Sequence, residues 1–266
     1  MLPFPKTTVW IGSATLLFLL VAATTSNTSS AMTTTTPSSP GANTQNGLMT
    51  PTESRNAKLW NRFAKGYAAS PIQDEESYQT KLAMTQKYFS ATSTTALEFG
   101  CGTGGTALWH APHVKRYDAI DISSQMIDIA RAKQNKEQGG AKNVHFAVQG
   151  LDSWQAPDAS YDVILGLSIL HLLPNRAQVM RKVHRLLKPG GIFVSSTVCI
   201  GDMGKVTPLA LQLIGRPLAF LGVIPAVQVF TKTTLRQELQ DNGFVIQEEF
   251  HPGSDKAVFF IAKKVE

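Results

Sequence analysis

The sequence has few cysteines and few long apolar runs. Its 266 residues include two cysteines, Cys101 and Cys199, which form no C-x-x-C pair. That scarcity excludes a disulfide framework and a thiolate zinc site, so we expect buried thiols and no metal centre. The longest apolar stretch, residues 9–23, is interrupted by Gly12, Ser13 and Thr15. It is shorter than the roughly 20 residues that a membrane-spanning helix needs.

A basic nucleic-acid-binding module is also lacking. Lysine and arginine outnumber aspartate and glutamate by 25 to 19, which gives a net charge of +6. The basic residues are scattered, as on ordinary helix surfaces, and no aromatic residues alternate with them in a recognition pattern. We therefore expect no nucleic-acid partner.

Residues 1–50 differ in composition from the rest of the chain. The run 9–23 suits the apolar region of a signal peptide or a membrane anchor, and residues 24–47 are rich in Ser, Thr, Pro and Asn. Met32 and Met49 are alternative starts that would remove the run. We expect a targeting or anchoring segment with a disordered linker over 1–50 and a folded domain over 51–266. The location is then an organelle or a membrane surface, otherwise the cytoplasm.

Strand and helix patterns alternate through the folded part. The pattern predicts strands at 96–99, 117–120, 144–148, 161–167 and 192–198, with helices at 124–138 and 176–187. Lys188 to Gly191 reads as a turn between the second of these helices and the last strand. This alternation predicts a parallel sheet with helices on both faces. Two closing runs, 244–250 and 257–262, are joined so briefly that they must form an antiparallel hairpin.

Two amphipathic helices are predicted before the first strand. Trp60, Phe63, Ala64 and Tyr67 share one helical face, and a second helix is expected over 75–89. Residues 200–230 are different, because they combine apolar side chains with embedded prolines. We expect them to form a broken lid segment over the carboxyl edge of the sheet.

An apolar run that breaks into glycines begins at Ala96. Gly100, Gly102 and Gly105 satisfy G-x-G-x-x-G, the fingerprint of dinucleotide-binding folds. Gly100, Gly102 and Gly104 after Glu98 satisfy E-x-G-x-G-x-G instead. The glycine spacing alone leaves both interpretations open.

Four blocks together resemble the class I S-adenosylmethionine-dependent methyltransferases that modify small molecules. They begin at Glu98, Asp121, Tyr161 and His184, and the last of them ends in Lys-Pro-Gly-Gly at 188–191. The resemblance implies a Rossmann-like, doubly wound α/β sheet of seven strands with an antiparallel hairpin. It also implies S-adenosyl-L-methionine as cofactor and a small-molecule methyl acceptor. An NAD-dependent oxidoreductase and a catalytically silent cofactor-binding module are the alternatives, and the oligomeric state stays open.

The resemblance also assigns roles in cofactor binding. Asp121 would accept from the ribose hydroxyls and Glu98 would face the methionine amino group, with the glycine turn at Gly100, Gly102 and Gly104 between them. Relatives carry Gly-Asp after the third strand, whereas this chain has Gln149-Gly150-Leu151-Asp152. Either Asp152 reaches the adenine amine from a shifted position, or backbone groups of Gly150 and Leu151 hold the base, and we expect Leu151 and Asp152 to take part. Ile122 and Met126 are expected to pack on the adenine ring, and Leu165 is a further expected cofactor residue. Met126 could equally be a core residue.

Candidate residues for the transfer itself lie past the fourth strand and on the first helix. His171, with Ser168 beside it, is placed to act as a base if the acceptor must lose a proton, and Tyr67 resembles the family residue that lies over the cofactor. His171 bonded to backbone and Tyr67 in the core are the structural alternatives. The acceptor pocket is expected to be built from the lid segment and the first helix. Its apolar walls with Lys205, Arg216 and Lys232 would suit a small acid with an apolar part. Thioethers, hydroxy acids, phenols and quinones are all compatible with it.

Overall fold

The computed structural model describes residues 48–136, 141–204, 206–253 and 256–265. The predicted targeting segment, including the run 9–23, lies almost wholly outside these ranges. Within them, no helix is both long and apolar enough to cross a bilayer.

A seven-stranded sheet organises the domain. Its strands are β1 (Thr95–Phe99), β2 (Arg116–Asp121), β3 (Val144–Val148), β4 (Tyr161–Leu167), β5 (Leu187–Thr197), β6 (Phe244–Phe250) and β7 (Val258–Lys264). The order is β3-β2-β1-β4-β5-β7-β6, in which β1 to β5 are parallel. Strand β7 runs antiparallel to both of its neighbours, with Val194 opposite Ile261 and Glu249 opposite Phe260. The predicted α/β fold with an antiparallel hairpin is confirmed.

Helices cover both faces of this sheet. They are α1 (Pro51–Ala69), α2 (Glu75–Gln86), α3 (Gly105–His110), α4 (Ser124–Lys136), α5 (Arg176–Leu186), α6 (Val206–Ala210), α7 (Arg216–Phe220) and α8 (Lys232–Asp241). One buried cluster joins the sheet to α5 and α8, and another joins it to α3 and α4. Because side chains alternate along a strand, Leu97 belongs to the first cluster and Ala96 to the second.

The start of β5 differs from the prediction. Residues 188–191 were expected to be a turn, yet the strand already begins at Leu187. The pairing shifts from Tyr161–Leu187 to Val163–Ile192, so a bulge absorbs the extra residues. Gly190 accommodates this bulge with a φ of 72°. Pairing with β4 therefore extends the strand through a motif that reads locally as a turn.

The first two helices differ from their predicted patterns in the burial of α1 and in the length of α2. Leu59 and Ala64 are buried in α1, but Trp60 and Phe63 are only half-buried and Tyr67 is 45% exposed. The predicted apolar face of α1 is therefore only partly correct. Phe89 lies three residues beyond the end of α2, although the pattern placed it inside that helix.

The lid segment is more helical than its prolines suggest. After a short 3-10 turn at Ile200–Asp202, the chain is helical from Val206 to Phe220. A π-helical stretch, Leu211–Gly215, connects α6 to α7. Pro208 lies in the first turn of α6, where a proline removes no helical hydrogen bond, whereas Pro217 follows directly after the π-helical stretch, inside the continuous helix. The expectation of a broken segment was wrong for 206–220.

Candidate functional site

The glycine turn lies at the carboxyl end of β1. Gly100, Gly102 and Gly104 have φ angles of 66°, 53° and 74°. Gly104 is also the N-cap of α3. The positive angles therefore fall on the three glycines of the E-x-G-x-G-x-G pattern.

Gly104 and Gly105 have different structural requirements. A β carbon on Gly104 would lie 2.6 Å from Cζ of Phe146 and 2.8 Å from Cβ of Ala130. A β carbon on Gly105 would lie 3.9 Å from the Tyr78 hydroxyl, which is ordinary contact. The third glycine of the dinucleotide fingerprint permits close helix packing. Because Gly105 has room for a side chain, the structure gives it no such role.

Asp121 ties the end of β2 to the glycine turn. Its Oδ2 accepts a hydrogen bond from the Gly102 amide at 2.9 Å, and its Oδ1 accepts one from the Ser123 amide at 2.8 Å. Burial raises the pKa of this carboxyl, and the two amide bonds oppose that shift. Each carboxylate oxygen keeps a further lone pair, so Asp121 can also accept from ligand hydroxyls.

Glu98 is a buried carboxyl one strand away from Asp121. It is 3% exposed, and its Oε2 accepts from the Tyr117 hydroxyl at 3.0 Å. Its pKa is raised to about 8, mainly by burial, with the Tyr117 hydrogen bond opposing the shift and the nearby Asp121 carboxylate adding to it. Tyr117 is a neutral hydrogen-bond donor to Glu98, and Asp121 carries a charge of the same sign. A ligand ammonium beside Glu98 would therefore stabilise the ionised carboxylate.

This raised pKa predicts a pH-dependent stability difference between the ligand-free protein and a Glu98→Gln variant. The folded protein keeps the Glu98 proton up to about pH 8, whereas an unfolded chain releases it near 4.5. The stabilisation is present below the unfolded pKa and is lost as the pH rises toward 8. Urea unfolding at several pH values should show wild type losing a few kcal/mol relative to the variant across that window.

The glutamine variant keeps an oxygen that accepts from Tyr117, so it isolates the ionisable group. A difference that stays constant from pH 5 to 8 would contradict the burial argument, because Glu98 would then already be charged at pH 5.

Tyr67 reaches the glycine turn from α1. A β carbon on Gly102 would lie 3.7 Å from Cε1 of Tyr67. Although the residue is 45% exposed, burial of its hydroxyl raises its pKa, and the Asp121 and Glu98 carboxylates raise it further. Tyr67 is therefore a neutral phenol at physiological pH, suited to positioning a ligand and not to accepting a proton.

The surroundings of the predicted adenine site include residues that the sequence analysis missed. Ile122 is half-buried and Met126 is 3% exposed beside the end of β2. Asn61 of α1 accepts from the Ser123 hydroxyl at 2.7 Å and from the Gln125 amide at 3.2 Å. This side chain fixes α1 against the start of α4. No local sequence signal distinguishes it, because the contact joins residues more than 60 positions apart.

The loop after β3 is held differently from the prediction. Leu151 is buried in the core cluster and Asp152 is exposed, because the chain turns directly after Gly150. The buried carboxylate near this loop is Glu53, whose Oε1 accepts from the Ser153 amide at 3.4 Å. Thr50 and Glu53 form a capping box at the start of α1. The spacing of these two residues in the sequence could have predicted the position of the Glu53 carboxylate.

The predicted residues at the end of β4 separate into different environments. Leu165 is fully buried in a core cluster, so its side chain has no surface for a ligand, and we leave it out of the proposed site. Ser168 is exposed with a φ of 54°. His171 is 1% exposed, and its Nδ1 lies 3.0 Å from the Thr197 hydroxyl. Burial lowers its pKa to about 4, so it is neutral at pH 7.

The cations predicted for the acceptor pocket do not gather there. Lys232 pairs with Glu249 at 3.2 Å, Arg216 is exposed, and Lys205 lies outside the described residues. Instead, Lys81 of α2 donates to the Ser196 hydroxyl at 3.3 Å, near the carboxyl end of β5. Lys81 lies one turn after Tyr78, whose hydroxyl is 3.3 Å from that of Thr106 in α3. The missed lysine therefore lies beside the edge that carries the site.

Comparison with known proteins relates the chain to methyltransferases. Residues 97–193 match the family described as Methyltransferase domain. The malonyl-[acyl-carrier protein] O-methyltransferase of Serratia marcescens is 23% identical over 150 residues, which are 56% of this chain and 55% of that protein. The fatty-acid O-methyltransferase of Mycolicibacterium smegmatis is 31% identical over 105 residues, which are 37% of this chain and 35% of that protein. The chain thus spans about half, or less, of the length of these relatives.

A solved structure extends the likeness beyond the matched region. The [4+2]-cyclase SpnF aligns over 82% of this chain and 98% of its own, with a TM-score of 0.64 and 16% identity. At that identity the likeness concerns the fold alone. The same architecture therefore accompanies more than one reaction.

Proposed function

Since this chain carries a class I S-adenosylmethionine-dependent methyltransferase domain, we propose that it transfers a methyl group from S-adenosylmethionine to a small organic acid. The predicted family and cofactor are confirmed by the matching domain and the named relatives. The NAD-dependent alternative is not favoured, in agreement with the room that Gly105 has for a side chain. The acceptor and the roles of individual residues are our proposal.

The proposal rests on the arrangement of Glu98, the glycine turn and Asp121, which lie together toward the carboxyl ends of β1 and β2. Among the described residues Glu98 has no cationic neighbour, so this buried carboxyl suits the methionine ammonium, and the free lone pairs of Asp121 suit the ribose hydroxyls. Ile122 and Met126 would contact the adenine. The loop at Leu151 would close the adenine side of the cofactor site, with Glu53 as an additional polar group. Tyr67 would hold the ligand against Gly102.

The cofactor supplies an activated methyl group on a sulfonium sulfur. The protein's own contribution is then alignment of donor and acceptor and exclusion of water, which can account for much of a rate enhancement. A carboxylate acceptor is already a nucleophile, so no general base is needed. His171, buried and neutral beside Thr197, would position the end of β4 and would not carry a proton.

Lys81 supports an anionic acceptor. It is half-buried, its hydrogen-bond partner Ser196 is neutral, and the nearby Asp74 is engaged by Lys256 at 3.0 Å. An acceptor carboxylate at this lysine would gain a charge-assisted hydrogen bond. The two relatives compared above are named as O-methyltransferases of a malonyl-[acyl-carrier protein] and of fatty acids, which agrees with such an acceptor.

Residues 200–230 would form the lid over that acceptor, within a domain of residues 51–266. Both ends of the segment are anchored near the site. Gly201 donates to the Phe230 carbonyl at 2.9 Å, and Gln228 donates to the His171 carbonyl at 2.8 Å. The buried side chains Ile224 and Phe230 would supply an apolar wall.

Methyl transfer to straight-chain carboxylic acids of graded length, with the matching primary alcohols as neutral comparators, tests this function. We expect acids to be methylated. Lys81→Ala should raise the KM for acids about 10- to 100-fold without changing the cofactor Kd, because one charged hydrogen bond is lost. The matched control is Lys232→Ala, whose lysine is paired with Glu249 and should leave the KM unchanged.

The outcomes separate the parts of the proposal. Transfer to phenols or alcohols but not to acids would refute the acceptor class and leave the reaction type standing. An equal KM change for acids and alcohols would remove Lys81 from carboxylate recognition. Cofactor binding without transfer to any acceptor in a wider panel would favour the catalytically silent module.

A further inference from the structure

The lid segment exposes an unusual amount of apolar surface. Leu213, Ile214, Phe220 and Leu221 are 67%, 64%, 87% and 71% exposed, and Leu209 is 55% exposed. All five lie in, or directly after, the helical stretch from Val206 to Phe220. Soluble monomers rarely expose large apolar side chains in such a contiguous group.

The exposed residues differ from those that face the interior. Ile224 and Phe230, from the same segment, are 9% and 5% exposed. The segment therefore has an inward apolar side, which suits the acceptor, and a separate outward side. The outward side needs a different occupant.

A stripe of basic residues lies on the neighbouring helix α1. Arg55, Lys58, Arg62 and Lys65 recur at intervals of three and four, which places them along one helical face, and all four are exposed. The only acidic residue in α1 is Glu53, which is buried in the capping box. This face of α1 therefore presents positive charge alone.

A direct contact joins the basic stripe to the apolar side. The Arg62 guanidinium donates to the Gly222 carbonyl at 2.9 Å. Leu221 and Val223, on either side of Gly222, are 71% and 42% exposed. The sequence contains no aspartate or glutamate from residue 203 to residue 231, whereas it contains Lys205 and Arg216. Together the stripe and the exposed lid residues form what we call the basic-apolar face.

We propose that the basic-apolar face docks the folded domain on the surface of an anionic lipid bilayer. Apolar side chains on a helix lying in the interface bury their surface among the acyl chains, while Lys and Arg approach the lipid phosphates. The face supplies both components side by side. This surface is distinct from the apolar run 9–23 and does not depend on the identity of the methyl acceptor.

Two other occupants fit the face less well. A nucleic acid would neutralise the basic stripe but would leave Phe220 and its apolar neighbours in water. A second copy packed face to face would cover the apolar side chains but would bring two basic stripes together, because a twofold contact uses the same patch twice. Only an anionic bilayer offers both an apolar interior and negative charge.

A fluorescent probe on the lid tests the docking independently of residues 9–23. The full chain with Phe220→Cys is labelled with an environment-sensitive dye, since both native cysteines are buried. Vesicles containing phosphatidylserine should shift the emission to shorter wavelength, and vesicles of phosphatidylcholine alone should shift it much less. Added salt should weaken the effect, because it screens the attraction to the lipid charge.

Charge reversal identifies the surface. Arg55→Glu, Lys58→Glu and Lys65→Glu together should lower the vesicle partition coefficient on the order of 100-fold or more. The matched control changes the exposed residues Lys115, Lys142 and Arg181 to glutamate, which gives the same net charge on other elements. We expect the control to bind nearly as wild type does.

Each alternative result overturns the proposal. An unshifted emission with anionic vesicles would show that the lid does not enter the bilayer. An equal loss in both triple variants would show attraction by net charge without a defined face. A shift produced by oligonucleotides, or by raising the protein concentration without lipid, would assign the face to nucleic acid or to self-association.

Discussion

An Asp121→Ala variant should bind S-adenosylhomocysteine roughly 150- to 20,000-fold more weakly than wild type. Asp121 already holds the Gly102 and Ser123 amides, and we propose that its remaining lone pairs accept from the ribose hydroxyls. Charge-assisted hydrogen bonds of this kind contribute about 1.5–3 kcal/mol each. Isothermal titration calorimetry of both proteins measures the loss directly.

Asp121→Asn is the matched control, because it keeps one side-chain oxygen and removes the charge. It should retain affinity between that of wild type and that of the alanine variant. Calorimetry with NAD completes the test. Tight NAD binding with no response to S-adenosylmethionine would contradict the cofactor assignment, and an unchanged Kd in Asp121→Ala would remove Asp121 from the ribose site.

Gly104→Ala should lower the free energy of unfolding by about 2–5 kcal/mol. The left-handed φ of 74° costs about 1–2 kcal/mol for a residue with a β carbon. The added methyl group would also lie 2.6 Å from the Phe146 ring and 2.8 Å from Ala130, and overpacking of a core typically costs about 1–3 kcal/mol. Urea denaturation of the purified variant measures the sum.

The neighbouring glycine provides the control for this substitution. Gly105→Ala places its methyl group 3.9 Å from the nearest atom, inside a helix, and should leave stability unchanged or raise it by up to about 1 kcal/mol. Cofactor binding should persist in that variant. If Gly105→Ala is as damaging as Gly104→Ala, the third fingerprint glycine has a role that the packing does not reveal.

The element pattern was predictable where local signals are strong. Strands β3 and β4 were predicted with their observed bounds. Their strong apolar runs are signals that act within a few residues. The early start of β5 was missed, because pairing with β4 outweighs the turn preference of Pro189 and Gly190.

The difference between local signals and contacts that are distant in the chain also applies to the predicted site residues. Glu98, Asp121 and the glycines were proposed from the family resemblance, and the structure places them toward the carboxyl ends of two adjacent strands. Lys81 and Asn61 were missed because each acts across a contact with a residue distant in the chain. Arg216 and Lys232 were assigned to the acceptor from their position in the lid. Lys232 instead pairs with Glu249.

The amino-acid sequence by itself determined the alternating α/β architecture, the hairpin and the glycine turn with its flanking carboxyls. Those features depend on periodicity, backbone φ preferences and residue spacing, which are properties of short stretches. Only the tertiary structure decided the burial of Glu98, the position of Lys81 and the alignment of the basic stripe on α1 with the exposed lid. These depend on which distant surfaces meet, because burial sets the pKa of a carboxyl and a long cationic side chain takes whichever partner the fold brings within reach.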